Sequence, residues 1–133
     1  TESRRVVELI QARQGGILEE LEAHNLIADE IEWWAAGPPD LLPWAGTFRG
    51  QDGIRRWFEA LRGAVDYDQF EPLELIAQGD SVVEVIHGAG HAKATGRRFE
   101  SDIVRIWTIH DGKVVRVRSF YDTYAYVSAL HGS

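Results

Sequence analysis

The stretch that most restricts the fold runs from Asp102 to Asp122, IVRIWTIHDGKVVRVRSFY between two aspartates. Two runs rich in Val, Ile, Trp, Phe and Tyr flank Asp111-Gly112. Both turn residues tolerate the positive φ of a two-residue type I′ turn, so the stretch predicts a β-hairpin. Such a turn sets His110 opposite Lys113, Ile109 opposite Val114, Trp107 opposite Arg116 and Arg105 opposite Arg118. Opposed residues share a sheet face. Val104, Ile106, Thr108, Val115, Val117, Ser119 and Tyr121 then form the face expected to meet the core. Arg105, Trp107, Ile109, Val114, Arg116, Arg118 and Phe120 form the other. Arginines mixed with large apolar groups suit a wet contact between proteins, so a homodimer through Arg105, Trp107, Arg116 and Arg118 is expected.

The rest of the chain arranges itself around this hairpin. Ser3 is placed to cap a first helix, with Val6, Val7, Leu9 and Ile10 at helical spacing until Gly15-Gly16. Ile17, Leu18 and Leu21 mark a second, short helix that breaks at Asn25. Residues 27–34, IADEIEWW, favour a strand that ends before Gly37-Pro38-Pro39. A loop is expected from there to Gly50, yet its Leu41, Leu42, Trp44 and Phe48 imply that it folds over something apolar. Ile54, Trp57, Phe58, Leu61 and Val65 then give the best helical pattern in the chain. Three further strand-like runs, residues 70–77, 82–93 and 98–109, precede the last strand, and Asp122 can cap a closing helix. Helices first and an antiparallel meander afterwards spell α+β: helices packed on the concave face of a curved sheet, enclosing a pocket.

Composition narrows the function classes. A chain of 133 residues fits one domain over 1–133, able to bury about two-thirds of its unfolded surface. Without cysteine it has neither disulfides nor thiolate metal sites. A net charge of −7 with no basic run argues against nucleic acid. No apolar run approaches the roughly 20 residues of a membrane span, and the start lacks a signal-peptide pattern, so a cytoplasmic, membrane-free protein is expected. No phosphate-binding glycine loop or nucleophile elbow occurs, so no cofactor is expected. His87 and His91 stand roughly 13 Å apart on a straight strand, too far to chelate one metal.

The order of elements, the Trp33-Trp34 pair followed by W-A-G-T-F-R-G, the T-G-R and D-G-K turns and the closing S-F-Y-D-T resemble the nuclear-transport-factor-2-like superfamily over nearly the whole chain. Within it the chain looks most like SnoaL-like proteins, relatives of ketosteroid isomerase. The resemblance implies a cone-shaped, usually dimeric α+β barrel with a ligand cavity between sheet and helices. It also implies an acid/base aspartate at the end of the last strand, where Asp122 stands. The isomerase's base and tyrosine positions fall on Trp33 or Trp34 and on Leu9 or Ile10. The epoxide hydrolases' Arg-x-Asp pair is absent from VVEVIHGAGH.

A two-residue turn at Thr95-Gly96 would put His91 opposite Glu100 and Ala89 opposite Asp102, so His87, His91, Glu100 and Asp102 would share one face, expected to be the inner one. With Asp122 they would gather at the mouth of an aromatic cavity, the grouping that proton transfer needs. Two functions stay open. In the first, an isomerase, cyclase or hydrolase works on a small apolar molecule. Asp122 is its base, His87 or His91 the proton partner and Tyr121 a hydrogen-bond donor, while Trp33, Trp34, Trp44, Phe48, Trp57, Phe58 and Asp102 line the substrate. In the second, a non-catalytic ligand-binding or dimerisation module, Asp122 only caps a helix, the histidines pair with acidic neighbours at the surface, Glu100 pairs with arginine and the tryptophans are core.

Overall fold

The computed structural model describes residues 1–13 and 15–132. Its elements run α1 (Glu2–Gln11), α2 (Ile17–Ala23), β1 (Ile27–Ala35), β2 (Gly46–Arg49), α3 (Gly50–Ala64), β3 (Val65–Gln78), β4 (Ser81–Ala92), β5 (Arg98–His110), β6 (Lys113–Tyr121) and α4 (Thr123–His131). Thr1, not Ser3, caps α1, its hydroxyl accepting from the Arg4 amide at 3.1 Å. Ser3 lies inside the helix and donates instead to the Gly79 carbonyl.

Six strands form one curved, unclosed sheet in the order β2-β1-β6-β5-β4-β3. The expected meander β3-β4-β5-β6 is present with antiparallel pairing throughout. Two features were not legible. Strand β2, only four residues long and opened by a glycine, lies within the expected loop and pairs antiparallel with β1. Strand β1 in turn runs parallel to β6. The loop before β2 does fold inward: Leu42 and Trp44 are buried.

The hairpin turn forms as expected, with Asp111 and Gly112 at φ of 51° and 76° and His110 paired with Lys113. Past Ile109–Val114 the register slips: Thr108 pairs with Arg116, Trp107 with Val117 and Arg105 with Ser119. Val115 is the additional residue of a β-bulge, and one extra residue reverses every later side chain relative to the partner strand. The inward set on β6 stays as expected from Val117 onward, but the set on β5 is inverted. Ile103, Arg105, Trp107 and Ile109 are buried, while Val104, Ile106 and Thr108 lie on the outer face. Arg105 and Trp107 therefore cannot belong to an outer contact surface, and of the four residues expected there only Arg116 and Arg118 remain.

The core lies between the inner sheet face and the helices. Trp33, fully buried, packs with Trp57, Phe58 and Trp107 at ring-centroid distances of 5.1, 5.4 and 5.9 Å. Apolar burial of this kind supplies most of the driving force, roughly 1.5–3 kcal/mol for each large side chain. Gly90 is required by close approach of β3: a Cβ there would lie 1.9 Å from the Asp66 carbonyl oxygen.

Candidate functional site

Between the inner sheet face and α3 opens a cavity of about 330 Å³, within the range of small-molecule sites. Trp44, Trp57, Phe58, Phe70, Tyr67, Tyr121 and Tyr126 give it an aromatic wall, and Ile103, Arg105 and Ser119 supply its sheet side. Arg13, Gly16, Leu61 and Arg62, all at least partly exposed, mark its mouth. Strand periodicity explains the sheet side, since alternate residues of β5 and β6 reach the same face. Helical spacing explains Trp57, Phe58 and Leu61, adjacent on one face of α3. Small residues on β4 make room: a Cβ on Gly88 would meet the Tyr67 ring at 3.2 Å.

Beside the cavity sits a buried ion pair, one member of which, Arg105, was expected on the outer face. Glu84 is 1% exposed and Arg105 is 4% exposed. Arg105 Nε donates to Glu84 Oε1 at 3.1 Å, Trp107 Nε1 donates to the same oxygen at 3.0 Å, and Gln11 Nε2 donates to Oε2 at 3.0 Å. Burial pushes the Glu84 carboxyl up, but the Arg105 charge and the three donors together outweigh it and hold the group below the usual carboxylate range. The Arg105 guanidinium stacks on Phe70 and Trp107, each centroid 5.4 Å away.

The tyrosines form a second polar layer. Tyr121 accepts from Trp44 Nε1 at 2.8 Å and donates to the Ala36 carbonyl, so its proton is already committed. Tyr67 and Tyr126 share a hydrogen bond of 2.7 Å. Burial pushes Tyr67 up to about 12 and raises Tyr121 and Tyr126 as well, so all three stay protonated donors near neutrality.

The other expected site residues are dispersed. His87, Glu100 and Asp102 do share a face with His91, because the observed β4–β5 register differs from the expected one by two residues, which preserves parity. The face is the outer one, the consequence of the bulge at Val115. His87 Nδ1 meets Asp102 at 2.8 Å and Nε2 meets Glu100 at 2.6 Å, and these bonds raise its pKa above the ordinary imidazole value. Each carboxylate thus holds one ring nitrogen of His87. His91 stands 3.6 Å from Asp66 at the surface. Asp122 is exposed, accepts from the Ala125 amide at 3.1 Å as the N-cap of α4, and is not in the cavity wall. Trp33 is core, Trp34 lies outside against Phe120, and Phe48 packs on the core from β2 without lining the cavity. Trp44, Trp57, Phe58 and Tyr121 do line it.

Arg13, Tyr67, Phe70, Arg105 and Tyr126 were missed. Glu84 gave a signal, a lone carboxylate among Val82, Val83, Val85 and Ile86. A charge in such a run needs either an outward face or a buried partner, and Arg105 is that partner.

A SnoaL-like domain model matches residues 6–117. The chain belongs to the SnoaL-like domain family. Among solved structures, an NTF2-like protein of Burkholderia xenovorans LB400 is 33% identical over 98% of this chain and 96% of its own, with a TM-score of 0.83. A second NTF2-like protein, from Burkholderia thailandensis E264, is 28% identical over 97% of both chains, with a TM-score of 0.80. A candidate SnoaL-like polyketide cyclase of Mesorhizobium loti is 22% identical, covering 90% of this chain and 96% of that one at a TM-score of 0.70, and shares the fold. No curated protein matches the chain. Among the described residues, no helix is long and apolar enough to cross a membrane.

Proposed function

We propose that this SnoaL-like protein binds a small, largely apolar molecule in the cavity between sheet and helices, and does so as a homodimer joined through its outer sheet face. The observation behind the ligand reading is the aromatic cavity itself, about 330 Å³ with an open mouth. The binding reading is favoured over acid/base catalysis by the composition of the wall. Its ionisable members are Arg13, Arg62, Arg105, Tyr67, Tyr121 and Tyr126, guanidiniums and phenols with no carboxylate or imidazole among them. Asp122, His87 and His91, the expected proton carriers, lie elsewhere. A second reading, an enzyme of isomerase or cyclase type, draws on Arg105 and the tyrosines, which are suited to stabilising negative charge that develops on a bound oxygen.

The ligand reading is tested by tryptophan fluorescence and thermal shift with a panel of mono- and bicyclic aromatic compounds, since Trp44 and Trp57 stand in the wall. Binders should alter the emission and raise Tm, and Leu61→Trp, which fills the mouth, should abolish both effects. Binding that survives in Leu61→Trp with unchanged affinity would place the ligand elsewhere and refute the reading.

A further inference from the structure

The polar groups around the cavity are out of balance. Arg105 Nη2 and Trp57 Nε1 are buried donors without a partner, and Ser119 Oγ is a third buried polar atom without one. All three residues line the cavity. The Tyr67–Tyr126 hydrogen bond uses one of two hydroxyl protons, which leaves one more donor in the same wall. The buried carboxylate beside the wall, Glu84, makes no described bond to any of these donor atoms; its oxygens accept from Arg105 Nε, Trp107 and Gln11. Buried donors are ordinarily satisfied, so an excess of them in the wall of a cavity marks a missing acceptor.

Charge points the same way. Two guanidiniums, Arg13 and Arg105, face a single buried carboxylate, Glu84. Arg13 has no carboxylate within ion-pair distance among the described residues; its bond is to the Ile10 carbonyl. Burial, and then repulsion by Arg105, lower the pKa of Arg13 by more than the more distant Glu84 and Glu20 carboxylates raise it. This surplus lies in a chain whose net charge is −7, so it is local to the cavity.

We propose that the ligand is an aromatic acid, its ring held among Trp44, Trp57 and Phe58 and its carboxylate placed as the missing acceptor for Arg105 and Ser119, with Arg13 as counter-charge. The proposal rests on the reading of the cavity as a ligand site and adds the chemical class of the ligand. An ionised acceptor supplies several lone pairs at once and forms charge-assisted bonds to guanidinium, roughly twice as strong as neutral ones. Nonspecific attraction does not give the same preference, because the chain as a whole repels anions.

The test compares matched acids and amides on the intact protein near neutral pH: benzoate, cinnamate and 2-naphthoate against benzamide, cinnamamide and 2-naphthamide, titrated by calorimetry. At least one acid should bind about tenfold or more tightly than its amide, and Leu61→Trp should abolish that binding. In Arg13→Gln, the affinity for the acid should drop about tenfold while that for the amide is unchanged. Amides binding as well as acids would overturn the ligand class and leave the cavity reading standing. Acid affinity unchanged in Arg13→Gln would overturn the assigned counter-charge. Failure of every acid and every amide to bind would overturn both the ligand class and the cavity reading.

Discussion

Glu84 ties the core to the cavity. Its carboxylate is the only counter-charge to Arg105 among the bonds described for that side chain, and it also orders Trp107 and Gln11. Removing one member of a buried pair leaves the other uncompensated, at a cost of about 3–5 kcal/mol. Glu84→Ala should therefore lower the unfolding free energy in urea by about that much, and Glu84→Gln, which still accepts from Trp107, by less. The pH dependence follows from the direction of the shift. A carboxyl held below its unfolded value contributes stability that is fully present above about pH 5 and is lost as pH falls through the lower, folded pKa. The variant and the parent should accordingly converge in stability on acidification. A gap that widened toward low pH would contradict the pairing.

At the scale of elements, one residue separates what could be read in the sequence from what could not. The D-G turn, the helical stripe of α3 and the four meander strands are local signals, and all are present, although Val65, expected to end the helical stripe, instead opens β3 ahead of the run expected at 70–77. The bulge at Val115 has no such signal. V-V-R-V alternates acceptably in either register, and the cost of a bulge is settled by the fit of the whole face, not by the four residues themselves. That slip moved Arg105 and Trp107 inside and carried His87, Glu100 and Asp102 outside, so the sharing of a face was legible while the identity of the face was not. Asp122 was ambiguous for a different reason: a carboxylate at the end of a strand and the start of a helix suits two roles, and only its bond to the Ala125 amide separates them. As the cap of α4, Asp122→Ala should destabilise the protein by about 1 kcal/mol, while Asp122→Asn, a competent cap, should retain nearly all of the stability. Ligand affinity should be the same in both. Chemical denaturation and calorimetry together check this, and loss of binding in the well-folded Asn variant would return Asp122 to the site.

For the whole molecule, inversion of β5 gives the outer face a new composition. Val83, Ile106, Arg118 and Trp34 now align across four strands, with Val85, Val104 and Phe120 in the next row. Trp34 and Phe120 pack at 5.2 Å, and Phe120 remains 38% exposed. An aliphatic and aromatic surface with Arg118 set among its apolar groups has the makeup of a contact surface. The two rows cross the middle of the sheet, so a second copy related by a two-fold axis could lay the same rows against each other, the self-complementary arrangement that a C₂ dimer requires. The cavity lies on the opposite face of the sheet, so assembly and ligand binding should separate. Sedimentation equilibrium of the wild type should give a mass near twice the 15.0 kDa of the chain. Ile106→Lys, placing a charge at the centre of the patch, should reduce the mass to that of one chain while leaving the affinity of a cavity ligand within about twofold. A wild type that sediments as a single chain at high concentration would rule out the dimer, and a monomeric Ile106→Lys that no longer binds ligand would show that the two faces are coupled through β5.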